Sequence, residues 1–322
     1  SQILNGAIIA PSGWNQVGPS IYSLSLASSS AASSFKQVIV DGNRLDPART
    51  PNIGYFTINQ VISPTSFISS DTTSIFSAYG IGKTTIYFRT VNWRVDKRNV
   101  TGFDPTTNIV TFDSPLPAGY TLVAGQGFYL MNTKSFVDQA GEWFYDDVAK
   151  ELFVWLRSSD SPASHIVELS VIWHGLSSTA DPGTVIVENL EFKNFRDNAV
   201  QLKNTTSTVR GNIISNSLER GMSLTSKNII VENNLIKDSY QGGINIWRAD
   251  LVNTVDIKFN TLENNGSLGN QANPGQALNG ITLNNSAAAT ITNNLIKNSG
   301  YAGIVAWGIV TDSLTISSNT VE

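Results

Sequence analysis

An asparagine returns at one fixed place in a repeated phrase along the C-terminal half of the chain, and repetition at that length leaves few folds open. The phrase is apolar-x-x-Asn-x-apolar. It surrounds Asn212 between Val209 and Ile214, Asn234 between Val231 and Ile236, and Asn260 between Ile257 and Leu262. It returns around Asn294 between Ile291 and Ile296, and around Asn319 between Ile316 and Val321. An earlier copy, from Val187 to Phe192, carries Leu190 in the asparagine slot. A second signature follows: Ala199-Val-Gln-Leu202, Gly221-Met-Ser-Leu224, Gly243-Ile-Asn-Ile246, Gly280-Ile-Thr-Leu283 and Gly303-Ile-Val-Ala306. Successive asparagines stand 22, 26, 34 and 25 residues apart. Short strands repeated at this spacing mark a solenoid.

The residue pattern selects the kind of solenoid. Met222 and Leu224, or Ile244 and Ile246, alternate with small or polar residues, as in a strand with one buried face. No segment between the phrases has the length and apolar period of a helix. The leucine ladder of a leucine-rich repeat is absent. A right-handed parallel β-helix fits best, with turns of roughly 22 residues stacked about 4.8 Å apart. Asparagine then stacks on asparagine, and its amide both donates and accepts, so the column satisfies buried corner backbone. Asparagine also tolerates the left-handed backbone of a tight corner, and glycine does so more freely. Asn212, Asn234, Asn260, Asn294 and Asn319 are therefore read as a structural ladder.

The first 180 residues show no such period. Strand-like runs recur at Phe35–Val40, Thr85–Val91, Asn108–Phe112 and Gly127–Met131. Asp41-Gly42 is a hairpin-turn signal, and Trp143–Tyr145 and Leu152–Trp155 flank a polar turn. The expected architecture is all-β: an antiparallel β-sandwich-like domain over residues 1–180, packed with a parallel β-helix over 181–322. The chain stops at Glu322 inside a repeat, and a coil without a polar cap exposes its core. A fragment is expected, with further coils of the same polypeptide and any export signal outside it.

The run Phe35-Lys-Gln-Val-Ile-Val-Asp-Gly-Asn-Arg-Leu-Asp-Pro-Ala-Arg-Thr-Pro-Asn52 resembles a phrase of secreted bacterial right-handed β-helix proteins, as does Gly141-Glu-Trp-Phe-Tyr-Asp146 with Leu152-Phe-Val-Trp155. In these pectate-lyase-like proteins a β-domain is inserted between early and late coils, so the resemblance implies opening coils ahead of Ser1. Some members are glycoside hydrolases, others cleave acidic polysaccharides, and many have no known activity. The resemblance thus implies fold strongly and substrate class loosely.

Chemistry has to come from sites. Two positions before the glycine of the second signature stand Asp197, Glu219, Gln241, Leu278 and Tyr301. Asp197 and Glu219 then fall in one column on adjacent turns, with an expected carboxyl separation of about 5 Å, that of a retaining glycosidase pair. Arg196 and Arg220 flank them, either holding substrate or neutralising the pair. The competing reading is a solvated charge column at a corner, since structural ion pairs also perturb acids. Trp247 and Trp307 share another column two turns apart, followed by Arg248 in the first case. Exposed rings there suit stacking on sugars; rings packed over the coil edge are the alternative. The insertion from Asn265 to Leu278 lies on the edge that carries Asp197 and Glu219.

Other chemistries find little support. His165 and His174 lie outside the repeats without a cluster of metal spacing, so neither metal nor cofactor is expected. No nucleophile-elbow phrase appears, and Gly80-Ile-Gly82-Lys83-Thr84 lacks the spacing of a phosphate loop. Net charge is −4 without a basic stripe, which argues against nucleic acid. No apolar run approaches a membrane span. Charged residues make up 14% of the chain against about 25% in typical domains. With abundant Ser, Thr and Asn, that points to an exported protein, extracellular or on a bacterial cell surface. The absence of cysteine does not contradict this. Two functions remain open: a carbohydrate-active protein acting on a polysaccharide or glycoside, hydrolase before lyase, or a non-catalytic surface module such as an adhesin, filament component or stalk.

Overall fold

The computed structural model describes residues 2–178, 181–247, 254–266, 278–284, 288–308 and 313–322. Among them, three parallel sheets wind the C-terminal half into a β-helix. The first stacks Leu190–Lys193, Ile213–Ser215, Leu235–Lys237, Thr261–Glu263, Leu295–Lys297 and Thr320–Val321. The second stacks Leu176–Ser177, Val200–Leu202, Arg220–Leu224, Gly242–Trp247, Asn279–Asn284 and Ala302–Trp307. The third runs from Asp181–Glu188 through Asn204–Arg210, Asn228–Glu232, Thr254–Lys258 and Ala288–Thr292 to Ser313–Ser317. Register keeps like on like: Phe192, Ile214, Ile236, Leu262 and Ile296 form one column, and Val200, Met222, Ile244 and Ile281 another. All nine are at most 1% exposed, so the coil is held by an apolar core continuous along its axis.

The asparagine ladder closes one corner of that core. Asn212 Nδ2 donates to Val187 O at 2.9 Å, to Arg210 O at 3.0 Å and to Asn234 Oδ1 at 3.0 Å. Asn234 Oδ1 also accepts from Asn212 N at 3.0 Å, and the same set repeats through Asn260 and Asn294 to Asn319. The left-handed corner residue, however, is the one before each ladder position: Asn189, Gly211, Asn233, Phe259, Asn293 and Ser318 all have φ between 55° and 64°. A second left-handed column, Asn194, Asn216, Asp238, Asn264 and Asn298, ends each strand of the first sheet. Its side chains bond along the axis, as in Asn216 Nδ2 to Asn194 Oδ1 at 3.1 Å.

The glycines of the second signature serve packing rather than backbone freedom. A Cβ on Gly243 would lie 2.5 Å from Leu262 Cδ2 and 2.7 Å from Gly280 O, and one on Gly221 would lie 2.4 Å from Ile236 Cγ2. Glycine there lets the second sheet press onto the apolar column of the first.

The remaining sheets build the β-domain. Thr85–Val91, Arg94–Asp104, Ile109–Phe112 and Gly127–Met131 pair antiparallel around Phe67, Phe88, Phe112 and Phe128. Glu142–Asp146 and Glu151–Trp155 form a hairpin, and Asp41 and Gly42 turn Val38–Val40 into Asn43–Arg44 with φ of 49° and 77°. One feature departs from expectation. Gln2–Asn5 pairs in parallel with Leu190–Lys193, so one strand stacked ahead of the first repeat lies within the chain. A four-residue strand with no glycine phrase after it carries no period to read. Buried Glu168 of the β-domain fixes this strand, accepting from Asn5 Nδ2 at 2.6 Å and from Asn194 Nδ2 at 3.4 Å.

The β-domain also docks on a corner of the coil. Gln37 Nε2 donates to Phe195 O at 3.0 Å and to Asn216 O at 3.1 Å. Arg44 donates to Asp238 O at 2.9 Å and lays its guanidinium 3.4 Å from the centre of the buried Tyr240 ring. Farther along, Trp93 at the tip of the long hairpin meets Tyr301, ring centres 5.7 Å apart.

Candidate functional site

Beside this junction the β-domain and the coil leave a cleft of about 560 Å³, within the range of small-ligand sites. Lys36, Tyr87, Lys97, Trp143 and Tyr145 line it from the β-domain; Trp173, Arg196, Leu218 and Glu219 line it from the coil side. The coil residues arrive there by register. Glu219 N donates to Asp197 O at 3.4 Å, Gln241 N to Glu219 O at 2.8 Å, and Tyr301 N to Leu278 O at 2.8 Å. Asp197 and Glu219 therefore occupy neighbouring rungs, with the Glu219 side chain at the cleft.

The acids differ in their surroundings. Asp197 Oδ1 accepts from the backbone N and Nδ2 of Asn198, both at 2.7 Å. Glu219 lies 3.8 Å from Arg220 Nη1, inside ion-pair range but beyond a hydrogen bond. Both partners are mostly covered, the Arg220 side chain 16% and the Glu219 side chain 22% exposed. Burial lowers the Arg220 pKa, and the charges of Glu219 and then Asp197 oppose that shift. Arg220 thus pairs with Glu219, and the charge of Asp197 acts on it in the same direction. Arg196 lays its guanidinium 4.0 Å from the centre of the Trp173 ring. Desolvation lowers its pKa against the pull of Asp197.

Trp247 and Trp307 stand on the second sheet, in register through Asn284. They are 52% and 48% exposed, and two strand spacings put them about 10 Å apart. Arg248 and most of the 265–278 insertion fall outside the described residues. The five ladder asparagines lie at an inner corner and take no part in the cleft. Among the described residues, no group of three or more His, Asp or Glu is arranged to hold a metal, and no helix is long and apolar enough to cross a membrane.

Lys36, Lys97 and Trp173 carry no signal in the repeats. Lys36 sits inside the phrase that prompted the family resemblance, but only the folded β-domain brings it to the coil.

Residues 181–321 match the model of the right handed beta helix region. No curated protein sequence matches the chain. A solved structure described as a glycoside hydrolase superposes with a TM-score of 0.59 at 12% identity, covering 94% of this chain and 74% of that one. Identity that low speaks to fold. The protein is a right-handed parallel β-helix with an attached β-domain, and it resembles β-helix glycoside hydrolases.

Proposed function

We propose that the protein is an exported carbohydrate-active protein that hydrolyses a glycoside or polysaccharide at the cleft between coil and β-domain. The observation that carries this reading is Glu219: a carboxylate at a cleft wall, one rung from Asp197, with Arg220 beside it. The two carboxylates have different partners, Asn198 for Asp197 and Arg220 for Glu219, which suits two different roles in one reaction. The exposed Trp247 and Trp307 provide ring faces for a saccharide running along the coil. The glycoside hydrolase neighbour supports a carbohydrate-related role at the level of fold. The low share of charge supports a place outside the cell or on its surface.

The test is hydrolysis of a panel of aryl glycosides and oligosaccharides by the intact chain. Asp197→Asn and Glu219→Gln should each abolish turnover and leave the thermal midpoint in place, with azide restoring turnover in the nucleophile variant alone. Turnover that survives in both variants removes the pair from the chemistry. A second reading is favoured by the bonding of Asp197 to its own neighbour Asn198, which suits a structural acid. In that case the protein is a surface module that binds glycan through its tryptophans without cleaving it.

A further inference from the structure

Resting on the glycan reading, we propose that the cleft is a subsite for an anionic sugar unit, whose carboxylate or sulfate is held among Lys36, Lys97 and Arg196. Three cations and two carboxylates line this space. One of the carboxylates, Asp147, is taken up by Lys83 in an ion pair. The other, Glu219, faces Arg220. Among the described residues, no carboxylate forms an ion pair with Lys36, Lys97 or Arg196. The cleft is thus cationic in a chain whose net charge is −4, so its sign is local and not inherited from the whole molecule.

Two details indicate that an anion completes the arrangement. Arg196 Nε is buried without a hydrogen-bond partner among the described residues, although its guanidinium is fixed over Trp173. A buried donor left unmade is costly, and guanidinium geometry matches a carboxylate or sulfate. Lys97 is desolvated by its surroundings and repelled by Lys36, both of which lower its pKa. An anion between them would offset the repulsion and favour the charged amine. Trp143, Tyr145 and Trp173 supply aromatic surface for the sugar ring itself. A neutral sugar would leave the buried Arg196 Nε without a charged partner.

The experiment measures binding of three tetrasaccharides to the intact chain by calorimetry: xylotetraose, tetragalacturonate and a sulfated heparin tetramer. The wild type should bind at least one acidic tetramer about tenfold or more tighter than the neutral one, as one charge-assisted contact permits. That preference should shrink between 50 mM and 500 mM salt. Lys97→Met and Lys36→Met, both at exposed positions, should each erase most of it. Carboxylate and sulfate are told apart by which acidic tetramer wins. Binding of xylotetraose without any preference for either acid overturns the subsite and spares the glycan reading. An acidic preference that survives both lysine variants also overturns it. Failure of all three tetramers to bind overturns both.

Discussion

Asn212 and Asn234 are joined twice: Asn234 Oδ1 accepts from both the backbone N and the Nδ2 of Asn212, each at 3.0 Å. Each rung therefore satisfies the one before it. Replacing Asn234 by leucine would strand Asn212 N, and Val209 O and Glu232 O would lose the Asn234 Nδ2 that serves them at 2.9 and 3.0 Å. At about 1–3 kcal/mol for each buried group left unpaired, the loss should be about 3 kcal/mol or more. Aspartate keeps an acceptor for Asn212 but turns a second oxygen toward Val209 O, Glu232 O and Asn260 Oδ1. Asn234→Asp should therefore be worse than Asn234→Leu at neutral pH. Leucine already stands in this column at Leu190, at the head of the ladder. Urea denaturation at pH 7 ranks the two, and an aspartate variant as stable as wild type contradicts the account.

Gly243 gives a prediction that propensity alone would miss. Its backbone is not left-handed, so alanine brings no dihedral strain. The added Cβ meets Leu262 and Gly280 O at 2.5 and 2.7 Å, and the carbonyl belongs to the next rung. Gly243→Ala should cost at least the 1–3 kcal/mol typical of overpacking. Gly183→Ala, where a Cβ meets nothing within 4 Å, should be neutral or slightly stabilising. Equal midpoints for the two variants would show that the coil relaxes around the extra methyl.

A surface cluster sets a pH dependence. His165 Nδ1 lies 2.6 Å from Asp41 Oδ2, and Nε2 lies 2.9 Å from Asp160 Oδ1. Hydrogen bonds to Asp41, then Asp160, raise the His165 pKa above its ordinary 6.5. His165, then Ile166 N, lower that of Asp41; Ser158, then His165, lower that of Asp160. The histidine's contribution is full below its unfolded pKa and fades as pH rises through the higher folded value. The aspartates' contribution is present above their ordinary 3.8 and is lost as pH falls through their depressed folded values. The stability difference between wild type and His165→Gln should thus be largest between these limits and shrink on the alkaline side. A difference independent of pH from 5 to 9 would exclude the bridge.

Whatever recurs once per coil was legible in the sequence. Asn212 through Asn319 and the column from Asp197 to Tyr301 could be aligned because one β-helix turn resembles the next. The reason for Gly221 and Gly243 was not legible, because spacing shows that glycine recurs and not which side chain crowds it. The left-handed corner was displaced by one residue for a similar cause: asparagine fills both places in Asn233-Asn234 and Asn293-Asn294. The cleft was hidden altogether. It forms where Gln37 and Arg44 reach Phe195, Asn216 and Asp238, and contacts across 158 to 194 residues leave no trace in local pattern.

Trp247 and Trp307 supply the last prediction. They share a column through Asn284 and are each about half exposed, so a saccharide along that column can stack on both rings without moving the core. Trp247→Ala and Trp307→Ala should each weaken oligosaccharide binding about tenfold, near the upper end of what one aromatic contact contributes. The thermal midpoint should stay close to wild type, because neither ring belongs to the buried columns that hold the coil. The double variant should bind no better than the weaker single one. A fall of several kcal/mol in stability from either substitution would show instead that the ring is part of the core. Unchanged binding with unchanged stability would leave the column without a role in recognition and confine any glycan contact to the cleft beside Glu219.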